Sequence, residues 1–105
     1  QGRWLVLDAH RDAASELALT GEIDGRLQSI VIDRSFVDAD GQRWVIDYKT
    51  SIHEGGDLDG FIANEVRRYR GQLERYARFA RELGPQPVRV ALYFPLLARF
   101  VEVEL

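Results

Sequence analysis

Four residues of this chain have the types and spacing that metal-assisted hydrolysis needs: Asp33, Asp47, Tyr48 and Lys49. In an extended strand alternate side chains share a face. Within Trp44-Val45-Ile46-Asp47-Tyr48-Lys49-Thr50, Asp47 and Lys49 therefore lie on one side, roughly 6.6 Å apart, with Tyr48 on the other. Upstream, Asp38-Ala39-Asp40-Gly41 reads as a type I turn closed by a left-handed glycine. That turn sets residue 38 opposite 42 and, further along the hairpin, Asp33 opposite Asp47, with Cβ atoms roughly 5 Å apart. Like charges so placed destabilise a sheet, and in a partly buried setting they raise the pKa of at least one carboxyl. A hard divalent cation removes the conflict. Two carboxylates, the Tyr48 backbone carbonyl and waters make a Mg²⁺ site, with Mn²⁺ as an alternative. Lys49 beside it can hold an anionic oxygen or orient a nucleophilic water. The plain alternative is a solvent-facing Asp33 and a simple Asp47–Lys49 ion pair.

The elements that must position these groups are legible as well. Residues 13–21, 26–37 and 42–50 read as three strands of a meander, with Leu17 and Leu19 on one face of the first. Glu22-Ile23-Asp24-Gly25 and Asp38–Gly41 are the turns between them. A glycine-rich stretch, 51–61, reads as a mobile loop. A helix over 60–83 carries an apolar stripe of Ile62, Val66, Tyr69, Leu73, Tyr76, Phe79, Ala80 and Leu83, and Gly84-Pro85 ends it. Strands over 88–94 and 98–105 follow, with Pro95 between them. The third strand, the helix and the fourth strand form a βαβ-like unit, which makes those two strands parallel. The expectation is an α/β (α+β) domain with a mixed sheet.

The 105 residues suffice for one domain, 1–105. Apolar residues are 46% and charged residues 30%, the balance of a folded chain. The absence of cysteine excludes disulfides, thiolate metal sites and cysteine nucleophiles. Fourteen basic against seventeen acidic residues give −3, which argues against a nucleic-acid coat built on bulk positive charge. No apolar run approaches the ~18 residues of a membrane span. The chain lacks methionine and stops inside the alternating stretch Phe100–Leu105, so the reading is a piece of a longer protein.

Three motifs in order, Ile32-Asp33-Arg34, Trp44–Thr50 and Gln72-Leu73-Glu74-Arg75-Tyr76-Ala77, resemble the RecB-like branch of the PD-(D/E)xK nuclease superfamily. The resemblance covers about residues 13–100 and is closest to the nuclease domain at the C-terminus of UvrD/Rep-type helicases, exodeoxyribonuclease V β-like subunits included. It implies a restriction-endonuclease-like sheet and Mg²⁺-dependent hydrolysis of DNA, with Asp33, Asp47 and the Tyr48 carbonyl on the metal and Lys49 assisting attack. It also implies site roles for Gln72 and Tyr76. It further implies a cytoplasmic bacterial helicase–nuclease for repair or recombination, acting on DNA that is single-stranded when the helicase delivers it. The partners would be motor domains of the same chain and other subunits of a helicase–nuclease complex. ATP would serve only the motor, because this stretch has no Gly-Lys-Ser/Thr phosphate loop. The family's further metal ligand, often a His on an upstream helix, has no clear match, so the isolated stretch is expected to be weak or inactive. A catalytically inactive module of the same fold, binding DNA or docking on the motor, is the alternative.

Other residues have two readings each. Gln72 and Tyr76, four apart on one helical face, suit a hydrogen bond to Lys49 or to a DNA phosphate, or Tyr76 is plain core. Arg67, Arg68, Arg70, Arg75, Arg78 and Arg81, interspersed with Glu65, Glu74 and Glu82, read mainly as a solvated face with one or two phosphate contacts. His53 is close enough in sequence to reach the site on loop closure, and His10 lies near the chain start. Reading Glu22–Gly25 as the same turn type puts Glu16 opposite Ile32, away from Asp33; a shift of one residue would reverse that. Trp44, Ile46 and Tyr48 are placed on the Ile32 side as core.

Overall fold

In the computed structural model, residues 11–53 and 55–105 are described. Five strands form one sheet in sequence order: β1 (Arg11–Ile23), β2 (Arg26–Val37), β3 (Arg43–Tyr48), β4 (Val88–Phe94) and β5 (Arg99–Val103). One long helix, α1 (Leu58–Ala80), crosses between β3 and β4. β1–β2, β2–β3 and β4–β5 are antiparallel, and β3–β4 is parallel, as a strand–helix–strand crossover requires. The mixed α+β architecture matches the expectation.

Boundaries differ at the ends. β1 runs two residues further at each side than 13–21, β3 stops at Tyr48 rather than 50, and β5 occupies 99–103 within the expected 98–105. The helix starts at Leu58 rather than 60, because Asp57, at φ 59°, caps it by accepting from Gly60 N at 3.0 Å. Its last expected turn, 81–83, tightens into a 3₁₀ turn, and Leu83 there is exposed rather than part of the buried stripe.

The second hairpin has the expected turn. Gly41 N donates to Asp38 O at 3.0 Å, Gly41 sits at φ 78°, and Asp38 N donates to Gln42 O at 2.9 Å. The Asp38 carboxylate braces it, accepting from Asp40 N, Gln42 N and the Trp44 indole N–H at 2.9, 3.0 and 2.8 Å. Burial acts to raise the Asp38 pKa, but these hydrogen bonds outweigh it and hold the carboxyl below its ordinary value.

The first hairpin is different. Its loop is the two residues Asp24 and Gly25, at φ 54° and 77°, because Ile23 pairs with Arg26. Positive φ at both positions is the Asp-Gly signature of a primed turn, whose twist suits the strands. The register therefore moves by one residue. Leu17 faces Ile32 and Ser15 faces Arg34, so Glu16 stands opposite Asp33 and not Ile32.

The sheet buries both faces. Ile30, Ile32, Val45, Val90, Leu92 and Phe94 of the sheet pack against Leu73, Ala77 and Phe79 of α1, with Leu17 and Leu19 against them. The other face holds Phe36, Trp44, Ile46 and Ala91, with Tyr48, Tyr93 and Phe100. Ile32 thus sits across the sheet from Trp44 and Ile46, contrary to simple alternation. Phe36 keeps the Trp44 side while Ile32 does not, so the alternation of β2 reverses between them. Glu16, opposite Asp33 where the reversal falls, sits in the left-handed region at φ 52°. Beyond it the β1–β2 arm folds onto the C-terminal half of α1. Arg75 donates to Gln28 at 2.7 Å, and a side chain at Gly21 would meet the Phe79 ring at 3.3 Å. Among the described residues no helix is long and apolar enough to cross a membrane.

Candidate functional site

The β2–β3 ladder runs from Val37–Arg43 to Arg34–Ile46 in the expected register, so Asp33 and Asp47 are the next residues across from one another. The alternation of hydrogen-bonded pairs, counted from Asp38–Gln42, makes Ile32–Tyr48 the next pair due to exchange backbone bonds. It does not form. The Asp33 carboxylate takes the place of the Ile32 carbonyl, accepting from Tyr48 N at 2.8 Å. The N–H and C=O of one strand residue point the same way, so the Tyr48 carbonyl is turned to that same edge, where the ladder has ended.

Asp47 is buried at 4% exposure in the middle strand, and three groups meet its carboxylate. Lys49 Nζ lies 2.9 Å from Oδ2, and Gln72 Nε2 donates to the same oxygen at 3.0 Å. Gln72 also donates to the Tyr76 hydroxyl at 3.1 Å. Asp33 is the third, in hydrogen-bonding reach. Burial foremost, and then Asp33, push the Asp47 pKa up to about 6, against the opposing pull of Lys49. Gln72 therefore holds the carboxylate and not Lys49, as the sequence had suggested, and Tyr76 combines its place in the apolar stripe with a hydroxyl aimed at Gln72.

The structure brings Asp33, Asp47, Lys49, Gln72 and Tyr76 together, with the Tyr48 backbone beside them. It adds Tyr69, whose ring lies under Lys49 Nζ at 3.6 Å from its centroid. A cation–π contact and an ion pair together fix the ammonium. Tyr69 is three residues before Gln72, so its place on that face was readable, but its partner was not. Glu65, one turn earlier, is buried, and its Oε2 has no hydrogen-bond partner; its Oε1 lies 3.9 Å from Arg68.

The oxygen chemistry suits a small hard cation. Asp33 Oδ2 accepts from Tyr48 N and Asp47 Oδ2 meets Gln72 and Lys49, so each carboxylate keeps a second oxygen that these N–H donors do not occupy. Among the described residues no three His, Cys, Asp or Glu side chains come together as a metal cluster, so Glu16 does not join the two aspartates despite its register position. His10 lies outside the described residues. His53 does not face the site; it stacks on Phe61 at 4.7 Å. Of the helical arginines, Arg67, Arg70 and Arg75 bond to Asn64, the Glu104 carbonyl and Gln28, and Arg68 approaches Glu65. Set against known proteins, the chain matches no family model and no curated protein sequence.

Proposed function

We propose that this domain is a metal-dependent deoxyribonuclease module of the RecB-like, restriction-endonuclease-like kind, working in a bacterial helicase–nuclease of the cytoplasm that processes DNA ends. The observation that carries the reading is the buried Asp47, raised to about 6 beside Asp33, with Lys49 at 2.9 Å. A protein keeps two opposed carboxylates at substantial cost unless a cation is to share them. Asp33, Asp47 and the Tyr48 carbonyl would hold Mg²⁺ or Mn²⁺, which would supply Lewis-acid stabilisation of phosphoryl charge and lower the pKa of water. Gln72, backed by Tyr76, keeps the Asp47 carboxylate turned to the site. Lys49, steadied on Tyr69, offers its remaining N–H donors to a phosphate oxygen or to the attacking water. In the hydrolysis the water loses a proton and bonds to phosphorus. The P–O bond to the leaving nucleotide breaks, and the departing oxygen is protonated.

The test is cleavage of single-stranded DNA in Mg²⁺ and Mn²⁺ by the complete helicase–nuclease and by its Lys49→Ala variant. A loss of at least about 100-fold on removing Lys49 is expected, of the size seen when a transition-state donor is deleted. Unchanged cleavage removes Lys49 from the mechanism. One observation favours a second reading, a non-catalytic module that binds DNA or docks on a motor: only two carboxylates meet here among the described residues. That reading predicts DNA binding with no turnover in either metal.

A further inference from the structure

We propose that His53 and Phe61 form a base-stacking platform for an unpaired nucleotide, with Arg67 and Asn64 placed for its phosphate; the proposal rests on the nuclease reading and locates part of its substrate track. The two rings lie 4.7 Å apart at 21°, a parallel stack. Phe61 is anchored from behind by the edge of Phe94, which is fully buried. His53 is held in plane by its Nε2, 2.7 Å from the Gly56 carbonyl. A carbonyl accepts only, so Nε2 carries a proton in this contact. Both rings line a cavity of about 550 Å³ that also takes in Asn64 and Arg67. That volume lies in the range of small-ligand sites. Arg67 bonds to the Asn64 amide oxygen and pairs with no described carboxylate, so its charge remains available to an anion. Asp57, the acid in the lining, already accepts from Gly60 N.

A flat aromatic surface beside a guanidinium matches the two halves of a nucleotide, the π-face of the base and the phosphate. Duplex bases have both faces covered, so the platform selects unpaired strands. Three residues lie between Lys49 and His53, whose Cα atoms are at most roughly 14 Å apart along extended chain. The stacked base therefore belongs to a nucleotide close to the phosphate at Lys49.

The experiment measures binding of a single-stranded oligonucleotide carrying 2-aminopurine, and of the same sequence as a duplex, in EDTA so that nothing is cut. The expected results are quenched 2-aminopurine fluorescence with wild type, affinity lower by about five- to a hundredfold in Phe61→Leu and His53→Ala, recovery in His53→Phe, and weak binding of the duplex. Melting curves verify folding, and if Phe61→Leu melts early the His53→Ala and His53→Phe pair decides the matter. Equal affinity of wild type and His53→Ala, or duplex bound as tightly as single strand, overturns the platform. Cleavage that depends on Lys49 with binding indifferent to His53 overturns the platform alone. Binding that depends on His53 with no cleavage in either metal by the complete helicase–nuclease overturns the nuclease reading alone.

Discussion

Asp47 sets the pH behaviour of the site. Its carboxyl is raised from an ordinary value near 3.8 to about 6 in the folded chain. The folded state therefore binds this proton more tightly than the unfolded state, and the stability it contributes is full below the unfolded value and lost as pH rises through 6. Without metal, wild type should be less stable at pH 7.5 than at pH 5 by roughly 1 kcal/mol from this group. Asp47→Asn should flatten that slope, as urea midpoints at the two pH values would register. The same titration controls cation binding, because the proton and the metal compete for one carboxylate. Calorimetry with Mn²⁺ should show affinity increasing between pH 5 and 7 and vanishing in Asp33→Asn and Asp47→Asn. No binding at millimolar Mn²⁺ in wild type at pH 7 would deny the metal site.

The Asp38–Gly41 turn is the element on which the Asp33–Asp47 juxtaposition depends. Three donors converge on the Asp38 carboxylate, one of them the indole of buried Trp44. Asp38→Ala leaves them without partners and should cost about 2–3 kcal/mol. The depressed Asp38 pKa has the opposite sign to that of Asp47: its stabilisation is present above the ordinary carboxyl range and is lost on acidification. Denaturant melts at neutral pH check the first point. If Asp38→Ala is as stable as wild type, the turn is held by its backbone bonds alone. The helix contributes differently, because Tyr69, Gln72 and Tyr76 reach the site only through the way α1 packs across β3.

Taken whole, the molecule is a sheet whose first hairpin is folded onto its helix. Phe79 is the joint, buried beneath Gly21 and packed in the cluster with Ile30 and Ile32. Phe79→Ala should destabilise by about 3–5 kcal/mol. The loss should be uneven, with amides of residues 17–32 exchanging fastest while those of β3 and β4 stay protected. Uniform loss of protection would mean the arm and the central strands open as one unit.

The turn chemistry of Asp38–Gly41 and the period-2 alternation of β3 were enough to determine that Asp33 meets Asp47 and that Lys49 shares their side, because a tight hairpin transmits its register without help from distant residues. The helical spacing likewise placed Gln72 and Tyr76 on one face. The same kind of reasoning misplaced Glu16 by one residue, since Glu22–Gly25 admits two loop lengths and only the strand twist chooses Asp24-Gly25. Alternation along β2 failed between Ile32 and Phe36 because the arm must turn to cover α1, a demand of packing that local pattern does not carry. That Gln72 bonds Asp47, that Tyr69 lies under Lys49 and that His53 stacks on Phe61 are contacts between distant segments. Their geometry follows from how the helix is set against the sheet, so tertiary structure alone decided them.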